Sequence, residues 1–236
     1  VSLKEEPHNE AEDFGTDGDR ARVHGFHIMQ GVNMTDYTGI AGNFEQRNIR
    51  LVVLDSLEAT KKYILEEIPI SCTVGIGHSA TLQQMDLTRA LEERGNPVYD
   101  KETASDDEES YRIKREALLS DYDISGANAV SADGRIVNMD HSGNRVAALI
   151  FGPKKVILVA GINKITETLE TAIDRVKNIA CPMNAERAGF HPPCVSLGRC
   201  VDCVSDQRVC NYLSVIQGQP YPGRMTLLIV KQPCGF

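Results

Sequence analysis

Four short stretches of this chain are almost wholly apolar: RLVVL at 50–54, CTVGIG at 72–77, KVILVAG at 155–161 and MTLLIV at 225–230. Apolar runs of this length, with no polar residue alternating in, are the mark of strands covered on both faces. Segments with helical spacing fall between them. SLEATKKYILEEI at 56–68 has Ser56 as a candidate N-cap and Leu57, Ile64 and Ile68 on one helical face. HSATLQQMDLTRALEER at 78–94 reads as one helix, and the acidic start of SDDEESYRIKREALLSD at 105–121 suits a helix N-terminus. PVYD at 97–100 adds a strand, and TETLETAIDRVKNIA at 166–180 reads as a helix beginning at Thr166. DISGANAV at 123–130, RIVNM at 135–139 and VAALIFG at 146–152 read as strands or short buried elements, with a hairpin turn at ADGRI. Strands and helices alternating at this spacing predict a three-layer α/β/α fold on a mostly parallel sheet.

The first 33 residues are rich in Glu, Asp, Gly and His, lack periodicity, and read as a disordered extension, with Met34 a candidate start. Residues 34–236 read as a single α/β domain that includes a cysteine-rich segment at 190–212. The net charge of −8 and the scattered basic residues argue against nucleic acid and acidic membranes as partners. No apolar run is long enough to span a bilayer, and the acidic N-terminus lacks the basic-then-apolar pattern of a secretory signal, so the expected location is the cytoplasm.

In parallel α/β sheets ligands sit beyond the carboxyl ends of strands, and the chemistry is sought at those turns. VGIGHSATL at 74–82 is one: Gly75 and Gly77 allow a close backbone approach, and Ser79, Thr81 and the N–H groups of the helix start can hold a phosphate or carboxylate. A tight turn with Ser79 acting only as a cap explains the same residues, and neither a P-loop nor a complete dinucleotide fingerprint is present. Residues 126–165 contribute Asn128, Ser131, Asp140, Asn144, Arg145 and Lys164 at turns and strand ends. Arg145 has the donor fork that suits a carboxylate or phosphate, and Lys164 offers a point charge or an amine. A structural Arg145–Asp140 ion pair and a helix-entry Lys164 are the alternatives.

Cys194, Cys200, Cys203 and Cys210 form a C-x5-C-x2-C-x6-C array among Gly, Asp, Arg and Ser, a poor pattern for a core. In a reducing compartment clustered thiols of this kind point to a zinc site or an iron–sulfur cluster, with redox-active and inert thiols as alternatives. Cys72, Cys181 and Cys234 lie in apolar or terminal settings and stay outside the array.

VGIGHSATLQQMDLTRAL, ISGANAVSADGRIVNMDHSGNRVAALIFGPKKVILVAGINKI, LETAIDRVKNIACPMNAER and LGRCVDCVSDQRVCN together resemble the lactate-utilisation (LUD) domain family, from about residue 45 to 236. The resemblance implies the fold shared by ribose-5-phosphate isomerases, glucosamine-6-phosphate deaminases and CoA transferases. VGIGHSAT is similar to the isomerases' GxGTGST phosphate turn, with His78 where they have a small residue. Their GAD is GAN here, so Asn128 replaces a carboxylate, and NMDHSGNR does not reproduce their KGGGGA. An isomerase needs a carboxylate base, so isomerase activity is not expected. Some family members are similar to components of an iron–sulfur lactate-oxidation system. The resemblance therefore implies an accessory or ligand-binding component of lactate or organic-acid oxidation, taking a small anionic metabolite and working with subunits of such a system. The alternatives are an independent enzyme acting on a small phosphorylated or CoA-linked carboxylate, and an iron–sulfur or zinc protein whose cysteine array is the working part.

Overall fold

A computed structural model describes residues 37–236; the expected extension over 1–33 lies outside the described residues. Six parallel strands form the main sheet in the order β1 (Ile49–Leu54), β10 (Met225–Val230), β7 (Lys155–Gly161), β4 (Tyr122–Gly126), β2 (Val74–Ile76) and β3 (Val98–Asp100). Each apolar run recognised in the sequence supplies one of these strands, and both faces of the central ones are covered. Ile157, Val159, Leu228 and Val230 face α2 (Leu57–Glu67), α3 (Ala80–Gln84) and α4 (Leu87–Arg94). Leu158, Ala160, Leu227 and Ile229 face the opposite way, onto α1 (Tyr37–Glu45), α6 (Asn144–Ile150) and a second sheet. Each fully buried Leu or Ile in these layers contributes about 1.5–3 kcal/mol against its exposed state.

The second sheet orders as β8 (Ile165–Thr166), β5 (Ala129–Ser131), β6 (Arg135–Asp140) and β9 (Tyr212–Ile216), with antiparallel β5–β6 and β6–β9 pairs. Val130, Ile136 and Ile216 pack on the main sheet's core, while Ala129 and Val137 pack outward on α7 (Leu169–Arg175) and the π-helical turn Val176–Ala180. The hairpin expected at ADGRI joins β5 to β6, with Gly134 at φ +96°.

Local capping agrees with the sequence in places. Ser56 Oγ accepts the N–H of Ala59 to start α2, and Asp106 accepts that of Glu109 to start α5 (Asp107–Ala117). Three segments differ. The helix expected over 78–94 is two helices broken at Asp86, whose φ is +48°. Leu82 and Leu87 are both buried in one core, and on a continuous helix five residues would turn them about 140° apart. Within VAALIFG residues 146–150 are helical, and the Asp140 carboxylate accepts the N–H groups of Arg145 (3.0 Å) and Val146 (3.3 Å) at the start of α6. The helix expected from Thr166 begins at Leu169, capped by Thr168, since Ile165 and Thr166 are already committed to β8.

Candidate functional site

Five of the six parallel strands end at one cavity of about 530 Å³. β2 delivers His78 and Ser79, β3 delivers Lys101 and Glu102, and β4 delivers Gly126, Ala127 and Asn128. β7 leads through a 3-10 turn to Lys164, and Gly235 and Phe236 follow β10. Asp140 and Arg145 at the start of α6, and Cys181, Asn184 and Arg187 of α8 (Cys181–Arg187), close the far side. The cavity therefore lies where a parallel α/β sheet binds ligands.

Arg145 is held by oxygens that carry no formal charge. Nη1 donates to Gly126 O (2.9 Å) and Asn138 Oδ1 (2.8 Å), and Nη2 donates to Asn128 Oδ1 (3.0 Å) and Met139 O (2.5 Å). Asn128 also accepts the N–H of Met139 through Oδ1, and its own N–H donates to Asn138 Oδ1, so the two asparagines lock this corner reciprocally. Asp140 caps α6 and makes no side-chain ion pair with Arg145; burial lowers the pKa of the guanidinium against the opposing pull of Asp140 and Asp123. Arg145 thus gives the cavity a fixed positive charge while its four terminal N–H groups are already engaged.

Lys164 is 3% exposed, and its Nζ is 3.3 Å from Thr81 Oγ1. Burial is the main cause that pushes its pKa down to about 8; the nearby Cys234 opposes this, and Arg175 and Arg145 add to it. Thr81 is wholly buried and does not line the cavity; its hydroxyl meets Lys164 Nζ and the Cys234 thiol.

On the opposite wall His78 Nδ1 lies 2.6 Å from Glu102 Oε1, and Nε2 meets the guanidinium of Arg187. A guanidinium only donates, so Nε2 accepts and the ring proton sits on Nδ1, donated to Glu102. Burial, then the charge of Arg187, lowers the His78 pKa and keeps the imidazole neutral. Burial alone would raise the pKa of Glu102, but the hydrogen bond and charge of Lys101, with the hydrogen bond from His78, outweigh it and lower it. Arg187 also donates to Asn184 Oδ1 (2.8 Å) and lies 5.7 Å from the centre of the Phe236 ring. Sequence reasoning noticed His78 only as a departure from a phosphate turn, and missed Lys101, Glu102 and Arg187; nothing in the order of residues places 78, 102 and 187 together.

Of the residues expected to bind an anion, Ser79, Asn128, Asp140, Asn144, Arg145 and Lys164 line the cavity. Gly75 and Gly77 are in the chain leading to it and do not line it. A Cβ at Gly77 would fall 3.2 Å from Arg145 Cδ and closer still to Ser125, and one at Gly75 would meet Ser120 and Ala117, so both glycines serve close packing. Ser79 makes no capping hydrogen bond to α3. Its hydroxyl instead lies against Gly126, where a Cβ would come within 2.5 Å of it.

The cysteine array folds over the start of α8. Cys194 is buried in α9 (Pro193–Leu197), the Cys200 N–H donates to Asn178 Oδ1 (2.9 Å), and Arg208 donates to the carbonyls of Cys203 (3.0 Å) and Cys210 (3.1 Å). Cys181, left out of the array on sequence grounds, lines the cavity and packs in one apolar cluster with Cys210. Burial pushes its thiol up to about 12, with Cys210, Cys194 and Cys200 acting in the same direction. Five free thiols are therefore neighbours here. Their sulfur chemistry suits zinc or an iron–sulfur centre in kind. Among the described residues, however, no three His, Cys, Asp or Glu side chains converge on a single-ion site.

A parallel α/β sheet with a polar, cation-rich cavity at its strand ends defines the class as an α/β protein with a strand-end cavity. More particularly, the LUD domain model matches residues 38–230, and the chain belongs to the LUD domain family. Among solved structures it is similar to a DUF162 family protein from Deinococcus radiodurans, with 17% identity over 85% of this chain and 99% of that one and a TM-score of 0.48. It is also similar to ribose 5-phosphate isomerase A from Methanocaldococcus jannaschii, with 11% identity over 68% of this chain and 78% of that one and a TM-score of 0.35. No curated protein matches the chain. No helix among the described residues is long and apolar enough to cross a membrane.

Proposed function

We propose that this LUD-domain protein binds a small organic-acid anion in the strand-end cavity, as an accessory or ligand-binding component of lactate or related organic-acid oxidation. The observation that carries this reading is the sign of the cavity. In a chain of net charge −8, the charged side chains that line the cavity among the described residues are Lys101, Arg145, Lys164 and Arg187 against Glu102 and Asp140. Asp140 is committed to capping α6 and Glu102 to His78 and Lys101, while among the described residues no carboxylate pairs directly with Arg145 or Lys164. A bound carboxylate supplies the missing negative charge, and its desolvation is offset by charges already out of water. Isothermal titration with lactate, pyruvate and inorganic phosphate tests the reading. Saturable carboxylate binding that weakens about tenfold in Arg187→Gln, the loss of one charge-assisted contact of about 1.4 kcal/mol, supports it. Absence of binding by the wild-type protein, or affinity indifferent to both Arg187→Gln and Lys101→Gln, sinks it.

A second reading, in which the thiols hold zinc or an iron–sulfur centre and couple the protein to iron–sulfur partner subunits, is favoured by the position of Cys181 in the cavity wall beside the array. Purification without oxygen, followed by an ultraviolet-visible spectrum and iron and zinc analysis, tests it. Iron with broad visible absorbance, lost in Cys203→Ser, makes the array an electron-transfer centre, and about one zinc per chain makes it a structural clamp. With neither metal, this second reading falls.

A further inference from the structure

Lys164 differs from the other cations of the cavity in what its charge does. Arg145 is locked by four oxygens, Arg187 is shared with His78 and Asn184, and Lys101 pairs with Glu102 at 3.1 Å. The Lys164 ammonium has three protons to donate and, among the described residues, one long hydrogen bond, to the Thr81 hydroxyl at 3.3 Å, and it is nearly removed from water. That is a poor arrangement for a structural ion, because a buried charge kept for stability is paired.

It is a suitable arrangement for a nucleophile. The 3-10 turn Ile162–Lys164 starts directly from the end of β7, so the amine is carried by the rigid centre of the sheet. The Gly235 backbone passes over it at φ +58°; a Cβ there would be 3.1 Å from Nζ and 2.6 Å from Thr81 Oγ1, so a larger residue at 235 would cover the amine. Burial and the neighbouring Arg175 and Arg145 hold its pKa near 8, against Cys234, which leaves a usable neutral fraction near neutral pH.

The geometry points to Lys164 as a covalent binding site for a small 2-oxo acid, whose carbonyl carbon forms an imine with Nζ while its carboxylate is held by the cationic wall of the cavity. This rests on the reading of the cavity as an organic-acid pocket and names the substrate class within it. The neutral amine donates its lone pair to the keto carbon, and the carbonyl π pair moves to oxygen, which takes up a proton as nitrogen gives one up. The carbinolamine hydroxyl is then protonated and leaves as water as the nitrogen lone pair forms the C=N bond. Ammonium and ketone become iminium and water, with no oxidant or reductant required.

The test is reductive trapping of the full-length protein with pyruvate and cyanoborohydride, read by intact mass and peptide mapping, with lactate as the carbonyl-free control. The expected product gains one pyruvic acid less one oxygen, maps to Lys164, and is absent with lactate. In Lys164→Arg the trapped fraction falls at least tenfold. An adduct spread over surface lysines, or equal trapping in Lys164→Arg, overturns the proposal, and the mapping in the wild-type protein stands even if the variant folds poorly. Titration with pyruvate and lactate separates the two readings. If both bind and nothing is trapped, the covalent step fails and the pocket survives; if neither binds, both fail.

Discussion

The Arg145 guanidinium donates to the side-chain oxygen of Asn128 across 3.0 Å, a neutral amide rather than a carboxylate. A neutral partner leaves the charge of Arg145 available to the cavity as a field. Asn128→Asp is expected to keep both hydrogen bonds to Oδ1 and to neutralise that field. A charge introduced about 8 Å from a bound anion at an effective dielectric near 20 costs roughly 2 kcal/mol, so pyruvate affinity should fall at least tenfold. Isothermal titration of the two proteins at low salt measures it.

Asp140 separates capping from charge. Its carboxylate accepts the N–H groups of His141, Arg145 and Val146. Asp140→Ala should cost about 1–2 kcal/mol in a urea melt, the usual cost of a lost N-cap. Asp140→Asn keeps an acceptor, should lose well under half of that, and should tighten anion binding several-fold because the cavity loses a negative charge.

Gly134 is required twice over, by its φ of +96° and by the Asn43 carbonyl 2.7 Å from where a Cβ would stand. Gly134→Ala should destabilise by about 1–3 kcal/mol, with the urea midpoint as the readout. Gly189→Ala is the comparison: φ is +74° but the space is open, so only the smaller backbone cost, about 1 kcal/mol, should appear.

Asp123 is 2% exposed, and its nearest side-chain partner is the hydroxyl of Ser125 at 3.0 Å. Burial pushes its pKa up to about 7, against the Ser125 hydrogen bond and the charges of Arg145 and Arg224. A carboxyl whose pKa is raised on folding contributes stability in full below its unfolded value of 3.8, and loses it as pH rises through about 7. The loss by pH 8 is at most on the order of 4 kcal/mol. Asp123→Asn, which keeps the Ser125 contact, should flatten this dependence; urea midpoints at pH 5 and pH 8 decide it. An equal fall in both proteins would place the dependence elsewhere.

The sequence by itself determined the strands of the main sheet and therefore the end of the molecule at which the strand-end cavity opens. A strand buried on both faces must be apolar throughout, and parallel strands joined by helices put their turns on one side, so RLVVL, KVILVAG and MTLLIV carry that information locally. It also singled out Asn128, Arg145 and Lys164, polar residues at turns, strand ends and a helix start. Other features had no local signature. VAALIFG has the composition of a strand, yet its residues 146–150 are helical, with Asp140, a few residues upstream, accepting N–H groups at the start of α6. Tyr212–Ile216 became a strand because β6 offered it an edge. The contact of His78 with Glu102 and Arg187, and that of Lys164 with Thr81, join residues far apart in the chain, and Cys181 meets the array only because α8 packs beneath it. Only the tertiary structure decided these, because the charge state and reactivity of a side chain depend on the neighbours and the water it has in space.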